Sequence, residues 1–223
     1  MPRFERPIAT VDAALFTLVD GGLRLALGQR DREPYKGQLA LFGGYVFTDA
    51  DEDTAATARR ILRDKAGIAL SYLEQLYTFS GKVRDPRGWS LSVAYYALVQ
   101  PDDLRSSGAR PVELVPVERV PALPFDHNRI VEAALARLRG KATYSSLPAF
   151  LLPPTFTLTQ LQEVYERVLG QALDKSSFRR KIEAQGVITP AEAMTRGGRH
   201  RPAQLYRLSD RNLAEFDRLI GMA

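Results

Sequence analysis

The sequence predicts an α/β domain built on a mixed sheet, followed by a smaller, mainly helical domain. Strand-like segments dominate the first part of the chain, two helix-like segments interrupt them, and a proline-rich stretch precedes two further helices. The length of 223 residues also exceeds the common size of a single domain. We therefore expect a first domain over residues 1–148 and a second over residues 149–223.

Six segments of the first domain have the character of β-strands. Each is rich in apolar residues, and the first two are separated by Asp20-Gly21-Gly22, which is typical of a hairpin turn. The predicted strands are Ile8 to Val19, Leu23 to Gln29, Leu39 to Phe47, Tyr72 to Phe79, Ser90 to Val99 and Val112 to Val120.

Two helices are predicted among these strands. Asp53 is a candidate N-cap for a helix from Thr54 to Ala66, and Gly67 is its expected end. A second helix is expected over residues 128–139, with Gly140 as its end. Strands interrupted by helices in this way predict the α/β class, with a sandwich of helices around a mixed sheet.

The second domain follows a stretch, residues 141–154, whose prolines and small polar residues suit neither the helical nor the strand period. Thr157 and Gln160 form a capping-box pattern at the start of a helix that Gly170 ends. Asp174 is the candidate N-cap of the next helix. Two short strands and a closing helix complete the prediction: Val187-Ile188, Ala203 to Leu208, and Asn212 to Ile220.

The composition excludes several kinds of site. With no cysteine, the chain can form no disulfide, thiolate zinc site or cysteine nucleophile. Its two histidines, His127 and His200, each lack a second histidine at metal-ligand spacing, so we predict no metal site and no cofactor. No segment has the length and apolarity of a signal peptide or a membrane span, so we expect a cytoplasmic protein without a membrane partner.

One segment resembles the Nudix box of hydrolases that act on nucleoside-diphosphate derivatives. Gly43-Gly44, the acidic turn from Asp49 to Asp53, the helix from Thr54 and then Gly67 follow one another in the order of that motif. In the family, glutamates on one face of the helix bind magnesium at the pyrophosphate of the substrate. The alternative is an ordinary amphipathic helix whose charged residues are solvated.

The helix of this segment lacks most of the family's carboxylates. Alignment on Gly67 places Arg60 on the family's arginine, but Ile61, Asp64 and Lys65 on the three glutamate positions. Magnesium requires anionic oxygen ligands, and hydrolysis requires the metal to activate water and polarise the phosphate. We therefore predict no catalytic residue and no enzyme activity, with a cleft that still holds a ligand.

A turn with two arginines, Arg84-Asp85-Pro86-Arg87-Gly88, suggests how an anionic ligand is held. Each guanidinium group can donate two hydrogen bonds to the oxygens of a phosphate. The aromatic rings of Tyr45 and Phe47 are candidate stacking surfaces for a nucleobase. A solvated hairpin tip and aromatic residues packed in the core are the alternatives. The predicted ligand-binding residues are Arg60, Asp64, Arg84, Arg87, Tyr45 and Phe47.

The helix after Asp174 predicts a DNA-binding module. Phe178 and Ile182 share its inward face, which leaves basic and hydroxyl side chains outward, and the flanking helix and strands are typical of a winged helix-turn-helix. Eight basic and three acidic residues lie from Asp174 to Arg207, which suits a phosphate backbone, although a solvated basic helix is the alternative. The predicted DNA-binding residues are Lys175, Ser176, Ser177, Arg179, Arg180, Lys181, Arg196, Arg199, His200 and Arg201.

The altered Nudix box, the turn of residues 84–88 and the run from Phe156 to Pro202 together resemble the NrtR family of Nudix-related transcriptional regulators. The resemblance covers nearly the whole chain and departs at Phe42, where the family usually has proline, and at the glutamate positions. It implies a homodimeric bacterial repressor of NAD metabolism or a related pathway, bound to a palindromic double-stranded DNA operator. ADP-ribose or another NAD-related phosphorylated metabolite is the implied effector.

Two other functions stay open at this point. A Nudix hydrolase with an atypical metal site would use Asp64, Glu52 and Asp51 as ligands, and magnesium-dependent phosphate release from ADP-ribose would favour it. A single-stranded RNA-binding module would need exposed stacking aromatics, which the basic helix does not offer.

Overall fold

The computed structural model describes residues 6–68, 70–105, 111–194, 203–210, 212–217 and 219–220. The chain forms two compact units. Unit 1 comprises Met1–Val19 and Leu23–Leu135, and unit 2 comprises Asp20–Gly22 and Ala136–Ala223. The domain boundary after residue 148 stays a prediction. Within the described ranges, no helix combines the length and apolarity that crossing a membrane requires.

Unit 1 is built on a seven-stranded mixed sheet. The strands are β1 (Ile8–Val19), β2 (Gly22–Gln29), β3 (Leu39–Ala40), β4 (Phe42–Tyr45), β5 (Tyr72–Gly81), β6 (Ser90–Leu98) and β7 (Val112–Pro116). Five of them lie in the order β3-β2-β1-β6-β5, while β4 pairs with β1 and β7 pairs with β2. The β1–β6 pair is parallel, and the β4–β1, β7–β2 and β5–β6 pairs are antiparallel.

Two predicted strands are shorter than expected. The segment predicted from Leu39 to Phe47 divides into β3 and β4 at Leu41, whose backbone N–H donates to Nδ1 of His127 at 3.2 Å. The strand predicted from Val112 to Val120 ends at Pro116, which has no N–H for a strand ladder, and a 3-10 helix follows over Val117–Arg119. Both strands are interrupted at a residue whose backbone does not donate a hydrogen bond to a neighbouring strand.

The first helix, α1 (Thr54–Ala66), packs one face against this sheet, and both of its predicted ends are confirmed. The side chain of Asp53 accepts from the backbone N–H of Ala56 at 2.6 Å, and Gly67 adopts the left-handed conformation at φ 64°. The buried residues of the helix are Thr57, Ala58, Ile61, Leu62 and Ala66. This packing fixes the direction in which every other side chain of α1 points.

Two further helices belong to the chain up to Ala142. The short helix α2 (Pro101–Arg105) was not predicted, and α3 (His127–Ala142) runs past its expected end at Gly140. Gly140 lies in open surroundings and lacks the positive φ that ends α1 at Gly67, so the helix continues through it.

Unit 2 contains the predicted helix pair and strand pair. The helices are α4 (Leu158–Leu169) and α5 (Lys175–Ala184), and the strands are β8 (Ile188–Met194) and β9 (Gln204–Leu208). The capping box of Thr157 and Gln160 and the left-handed Gly170 are confirmed at the two ends of α4. The proline-rich stretch also contains a 3-10 helix, Leu147–Leu151, whose five residues are buried. Residues 147–151 are therefore part of the packed core of unit 2.

The predicted closing helix from Asn212 to Ile220 is wrong. The backbone N–H groups of Phe216 and Ile220 donate to the carbonyls of Tyr144 at 2.7 Å and Thr143 at 2.6 Å. The side chains of Phe216 and Ile220 are buried. Because tertiary partners satisfy this backbone, the described part of the segment runs without helical hydrogen bonds.

Candidate functional site

Unit 1 contains a cleft of about 470 Å³ that is lined by residues of β1, β4, α1 and the loops next to them. All six residues predicted to bind a ligand line it. The alternative that Tyr45 and Phe47 pack in the core is wrong, because these side chains are 45% and 51% exposed. The lining residues are Thr10, Asp12, Arg30, Asp31, Arg32, Glu33, Leu41, Gly43, Gly44, Tyr45, Phe47, Arg60, Ile61, Asp64, Lys65, Arg84, Asp85, Arg87, Phe125 and His127.

The floor of the cleft is formed around Asp12, the buried carboxylate of the mainly apolar strand β1. Its oxygens lie 2.6 Å from Oγ of Ser92, 3.5 Å from Nη2 of Arg84 and 3.5 Å from Nε2 of His127. Burial alone would raise the pKa of Asp12, but His127, Ser92 and Arg84 outweigh it and lower the pKa to about 2. Asp12 is therefore an ionised, hydrogen-bonded anchor for the residues around it.

The hydrogen bonds of His127 fix its tautomer. Nδ1 accepts the backbone N–H of Leu41, so the ring proton lies on Nε2, which faces Asp12. This arrangement joins β1 to the start of α3 through one side chain.

Arg84 is held within the same buried network. Its guanidinium donates to the two carboxylate oxygens of Asp126 at 3.2 and 2.9 Å and to Oγ of Ser90 at 3.2 Å. The side chain is 6% exposed. Arg84 thus lines the cleft where the sequence predicted it, while its guanidinium is already bound by two carboxylates, those of Asp126 and Asp12.

Arg87 is also paired before any ligand arrives. Its Nε and Nη2 donate to the two carboxylate oxygens of Asp85 at 2.9 and 2.6 Å, and its Nη1 donates to the hydroxyl of Tyr45. The hydrogen bond and charge of Asp85 raise the pKa of Arg87. The Arg87 guanidinium lies 5.4 Å from the centre of the Tyr45 ring. These contacts hold the Tyr45 ring at the rim of the cleft.

Arg60 organises the acidic turn that precedes α1. It forms two hydrogen bonds to the carboxylate of Asp51, both at 2.7 Å, and a third to the carbonyl of Tyr45 at 3.0 Å. Its guanidinium carbon lies 4.3 Å from the centre of the Phe47 ring. The carboxylate of Asp51 additionally accepts from the backbone N–H of Phe47 at 2.8 Å. Arg60 therefore positions the ring of Phe47 and the backbone of Tyr45.

The three glutamate positions of the Nudix helix do not fit a magnesium ion. Ile61 is 2% exposed within the core, Asp64 pairs with Arg63 at 3.0 Å, and Lys65 carries a positive charge. Among the described residues, no group of three or more histidine or carboxylate side chains could hold a metal. Asp51, a ligand of the alternative metal site, is already bound by Arg60. These side chains therefore do not supply the oxygen ligands of an octahedral magnesium site.

A cationic and aromatic part of the cleft was not predicted from the sequence. Arg30 lies over the ring of Phe125 at 4.8 Å, and Tyr35 meets the same ring edge-on at 5.0 Å. Phe125 has a φ of 59°, an uncommon conformation for a side chain of this size. Two signals were available: the charged run of residues 30–33 directly after a strand, and the aspartate within the apolar run of β1.

In unit 2, α5 separates its buried and exposed faces as predicted. Phe178 and Ile182 are buried, and the ring of Phe178 contacts that of Tyr165 on α4 at 5.2 Å. Asp174 caps the helix by accepting from the backbone N–H of Ser177 at 2.8 Å. The exposed side chains include Lys175, Ser176 and Arg180, whereas Ser177, Arg179 and Lys181 are half-buried.

One of the half-buried residues is tied to the neighbouring helix. Nη2 of Arg179 donates to Oγ1 of Thr159 at 3.4 Å, which places its guanidinium near the start of α4. After α5, β8 and β9 form an antiparallel pair, and Phe156 adds a backbone bridge to Tyr206. The predicted DNA-binding residues at the tip, Arg196, Arg199, His200 and Arg201, lie outside the described residues.

Comparison with known proteins decides between the possible families. A family model described as the NrtR DNA-binding winged helix domain matches residues 148–208. A protein of Acinetobacter baylyi, described as ADPR responsive transcriptional repressor NtrR, is 40% identical over 219 residues, which cover 96% of this chain and 86% of that protein. The chain belongs to the NrtR family of Nudix-related transcriptional regulators.

Solved structures support both parts of the NrtR fold. The structure of Shewanella oneidensis NrtR complexed with a 27mer DNA is 37% identical, with a TM-score of 0.84 over 95% of this chain and 99% of that chain. The NUDIX domain of the same protein, complexed with ADP ribose, is 36% identical with a TM-score of 0.53 over 60% of this chain and 90% of that domain. The predicted Nudix-like α/β fold and winged helix-turn-helix are confirmed.

Proposed function

We propose that this NrtR-family chain is a transcriptional repressor that binds operator DNA through unit 2 and ADP-ribose through unit 1. The observation that carries the proposal is 40% identity across almost the whole chain to a repressor described as ADPR responsive. The identity spans both the cleft and the basic helix, so one chain contains a part suited to each ligand.

The exposed face of α5 supports DNA binding. Lys175 and Arg180 carry positive charge, and Ser176 carries a hydroxyl, on a helix whose opposite face is anchored by Phe178 and Ile182. Positive side chains attract the phosphate backbone, and arginine and serine can hydrogen-bond to base edges in the major groove. We expect a homodimer on a palindromic double-stranded operator with half-sites about 34 Å apart.

The contents of the cleft support a nucleoside-diphosphate ligand such as ADP-ribose. Its volume of about 470 Å³ lies within the usual range of small-molecule sites, about 300–1,000 Å³. Exposed aromatic rings of Tyr45 and Phe47 offer stacking faces for a base, while cationic side chains line the wall for a diphosphate. We expect the repressor to regulate genes of NAD metabolism or of a related pathway.

We further propose that the chain does not hydrolyse this ligand by the magnesium route of Nudix enzymes. Ile61 and Lys65 cannot supply the anionic oxygens that the metal requires, and the carboxylate of Asp64 pairs with Arg63. A site that holds a diphosphate without cleaving it suits a sensor, because the effector persists while it is bound.

The proposed coupling between ligand and operator is geometric. In a dimer, ADP-ribose would change the relative placement of the two DNA-binding modules, which must match half-sites one helical turn apart. This requires that ADP-ribose bind the free and the DNA-bound arrangements with different affinities.

A gel-shift titration with promoter fragments from the gene neighbours of this chain tests the DNA-binding proposal. We expect one fragment to be bound at least about 1,000-fold more tightly than random DNA at physiological salt. Equal affinity for all fragments and for random DNA would contradict a repressor. Incubation of the protein with ADP-ribose and magnesium tests the hydrolase alternative, which release of AMP and ribose 5-phosphate at enzymatic rates would favour.

A further inference from the structure

The turn that joins α4 to α5 is held by two side chains of α4, Gln162 and Glu166, which we call the turn clasp. The backbone N–H of Leu173 donates to Oε1 of Glu166 at 2.8 Å. The backbone carbonyl of Leu173 accepts from Nε2 of Gln162 at 3.0 Å. Nε2 of Gln162 also donates to Oε1 of Glu166 at 3.0 Å, so the two side chains support each other. The turn clasp therefore binds both polar backbone groups of Leu173.

The main chain of Glu166 fixes the other end of the same turn. Its carbonyl accepts from the backbone N–H of Gly170 at 2.8 Å and from that of Gln171 at 3.3 Å. Gly170 adopts the left-handed conformation, with a φ of 74°, which ends α4. Glu166 thus accepts three backbone hydrogen bonds of the turn, two with its carbonyl and one with its carboxylate. The turn is therefore attached to α4 at both of its ends.

Leu173 is directly followed by the first residues of α5. Asp174 is the N-cap, and its side chain accepts from the backbone N–H of Ser177 at 2.8 Å. Because Leu173 and Asp174 are adjacent, a displacement of Leu173 would shift the first turn of α5. That turn carries Lys175 and Ser176, both of which are exposed. The turn clasp thus determines where the exposed start of α5 lies relative to α4.

Two other contacts between α4 and α5 lie farther along α5. The ring of Phe178 meets that of Tyr165 at 5.2 Å, and Nη2 of Arg179 donates to Oγ1 of Thr159 at 3.4 Å. An aromatic contact allows small rotations, and a hydrogen bond of 3.4 Å is long. The hydrogen bonds of the turn clasp are shorter, at 2.8 to 3.0 Å, and they are directional. They therefore define the angle of α5 more tightly than the other two contacts do.

We infer that Glu166 and Gln162 are positioning residues for sequence recognition, because they set the angle at which α5 enters the major groove. The inference rests on the proposed function and adds residues that act through the position of α5. Base edges are read by hydrogen bonds with restricted length and direction, whereas attraction to phosphates depends mainly on charge. A changed angle of α5 should therefore weaken operator binding and leave binding to random DNA almost unchanged.

Fluorescence anisotropy of the full chain on random DNA and on the operator fragment found by gel shift tests this inference. Glu166→Met keeps the length of the side chain but removes the acceptor of the Leu173 N–H. We expect it to weaken operator binding about tenfold or more and random-DNA binding less than about twofold. Glu166→Gln loses the same charge but retains an acceptor oxygen, so its operator affinity should stay within about threefold of the wild type. Glu163→Met is the matched control.

The control removes an exposed carboxylate from the same helix, so it reproduces the change of charge without touching the turn clasp. It should keep the wild-type ratio of operator affinity to random-DNA affinity. Gln162→Met changes no charge, and its ratio should fall in the same direction as that of Glu166→Met. Gln162→Met decides the question if circular dichroism shows that Glu166→Met does not fold.

The possible results separate the inference from the proposed function. A lower melting temperature of Glu166→Met or Gln162→Met with an unchanged affinity ratio would overturn the inference, because it would indicate a purely stabilising role. A Glu166→Gln variant as defective as Glu166→Met would also overturn it. A wild-type chain that binds random DNA as tightly as every promoter fragment would overturn the proposed function itself.

Discussion

Arg60 and Asp51 form an ion pair in which Nε and Nη2 of the guanidinium each lie 2.7 Å from a carboxylate oxygen. The hydrogen bond from Arg60 holds the pKa of Asp51 far below its usual range. Arg60 is the residue of the Nudix pattern that this chain retains in the middle of α1. Its side chain contacts the turn before the helix. Arg60 can therefore hold this turn in place even though the metal-binding glutamates of the family are absent.

Loss of this pair should loosen the aromatic wall of the cleft. In Asp51→Asn, the carboxylate that binds Arg60 and the backbone N–H of Phe47 is replaced by a neutral amide. We expect a lower melting temperature and an ADP-ribose Kd raised about fivefold or more, measured by calorimetry. Asp49→Asn in the same turn is the control, because Asp49 is exposed. Equal effects of the two substitutions would show that general charge, not the pair, matters.

Asp12 should make unit 1 sensitive to acid. Its pKa is lowered to about 2 in the folded chain, against about 3.9 for an unfolded aspartate. A lowered folded-state pKa stabilises the fold above the unfolded value, and this stability is lost as the pH falls from about 4 towards 2. The loss should amount to about 2 kcal/mol. Urea unfolding at a series of acidic pH values measures it.

The variant Asp12→Asn identifies the residue responsible. At neutral pH we expect it to lower the free energy of unfolding by about 3 kcal/mol, because Arg84 loses one of its buried carboxylate partners. Between pH 4 and 2, about the range in which Asp12 titrates, its stability should fall less steeply than that of the wild type. A variant with the wild-type pH dependence would assign the acid sensitivity to other carboxylates.

Two glycines of unit 2 should respond to alanine with opposite signs. Gly140 lies within α3 with nothing near its missing Cβ, so Gly140→Ala should stabilise the fold by about 0.5–1 kcal/mol. Gly170 ends α4 at a φ of 74°, so Gly170→Ala should destabilise it by about 1 kcal/mol. Urea unfolding followed by circular dichroism measures both. Shifts of the same sign would contradict the backbone conformations described for these positions.

On DNA, Arg180 should contribute to sequence recognition. Arg180 is exposed on α5, whose opposite face carries the buried Phe178 and Ile182. A side chain that contacts bases in the major groove must be exposed in this way. We expect Arg180→Ala to weaken operator binding by about 1–3 kcal/mol and binding to random DNA much less, measured by fluorescence anisotropy. Arg63→Ala, which removes an exposed arginine of α1, is the control and should change neither affinity. Equal losses of affinity for the operator and for random DNA would show that Arg180 contacts phosphate and does not read bases.

Local signals made the ends of α1 and α4 predictable. Asp53 and Gly67 at α1, and Thr157, Gln160 and Gly170 at α4, act on residues three or four positions away, so the sequence contains the whole interaction. The segment from Asn212 to Ile220 shows the opposite case. Its backbone partners, Tyr144 and Thr143, are about 70 positions earlier in the chain, and no local pattern announces them.

The cleft was predictable in part for the same reason. A motif with fixed spacing led to Arg60 and Asp64, and a turn led to Arg84 and Arg87, and all four line the cleft. The partners that already neutralise the arginines were not foreseen. Asp126 reaches Arg84 from 42 positions away, through a sheet whose strand order the sequence did not determine. The hydrogen bond from Lys65 to the carbonyl of Gly43, 22 positions away, was not foreseen either.

We expect ADP-ribose bound to this chain to control the affinity of the chain for operator DNA. The most direct measurement is fluorescence anisotropy of a labelled operator with the full chain, titrated with ADP-ribose in EDTA and then in magnesium. ADP-ribose should release the operator and raise the Kd of the chain for operator DNA about tenfold or more in both buffers. This expectation would be contradicted if calorimetry showed saturation with ADP-ribose while the affinity for the operator stayed unchanged.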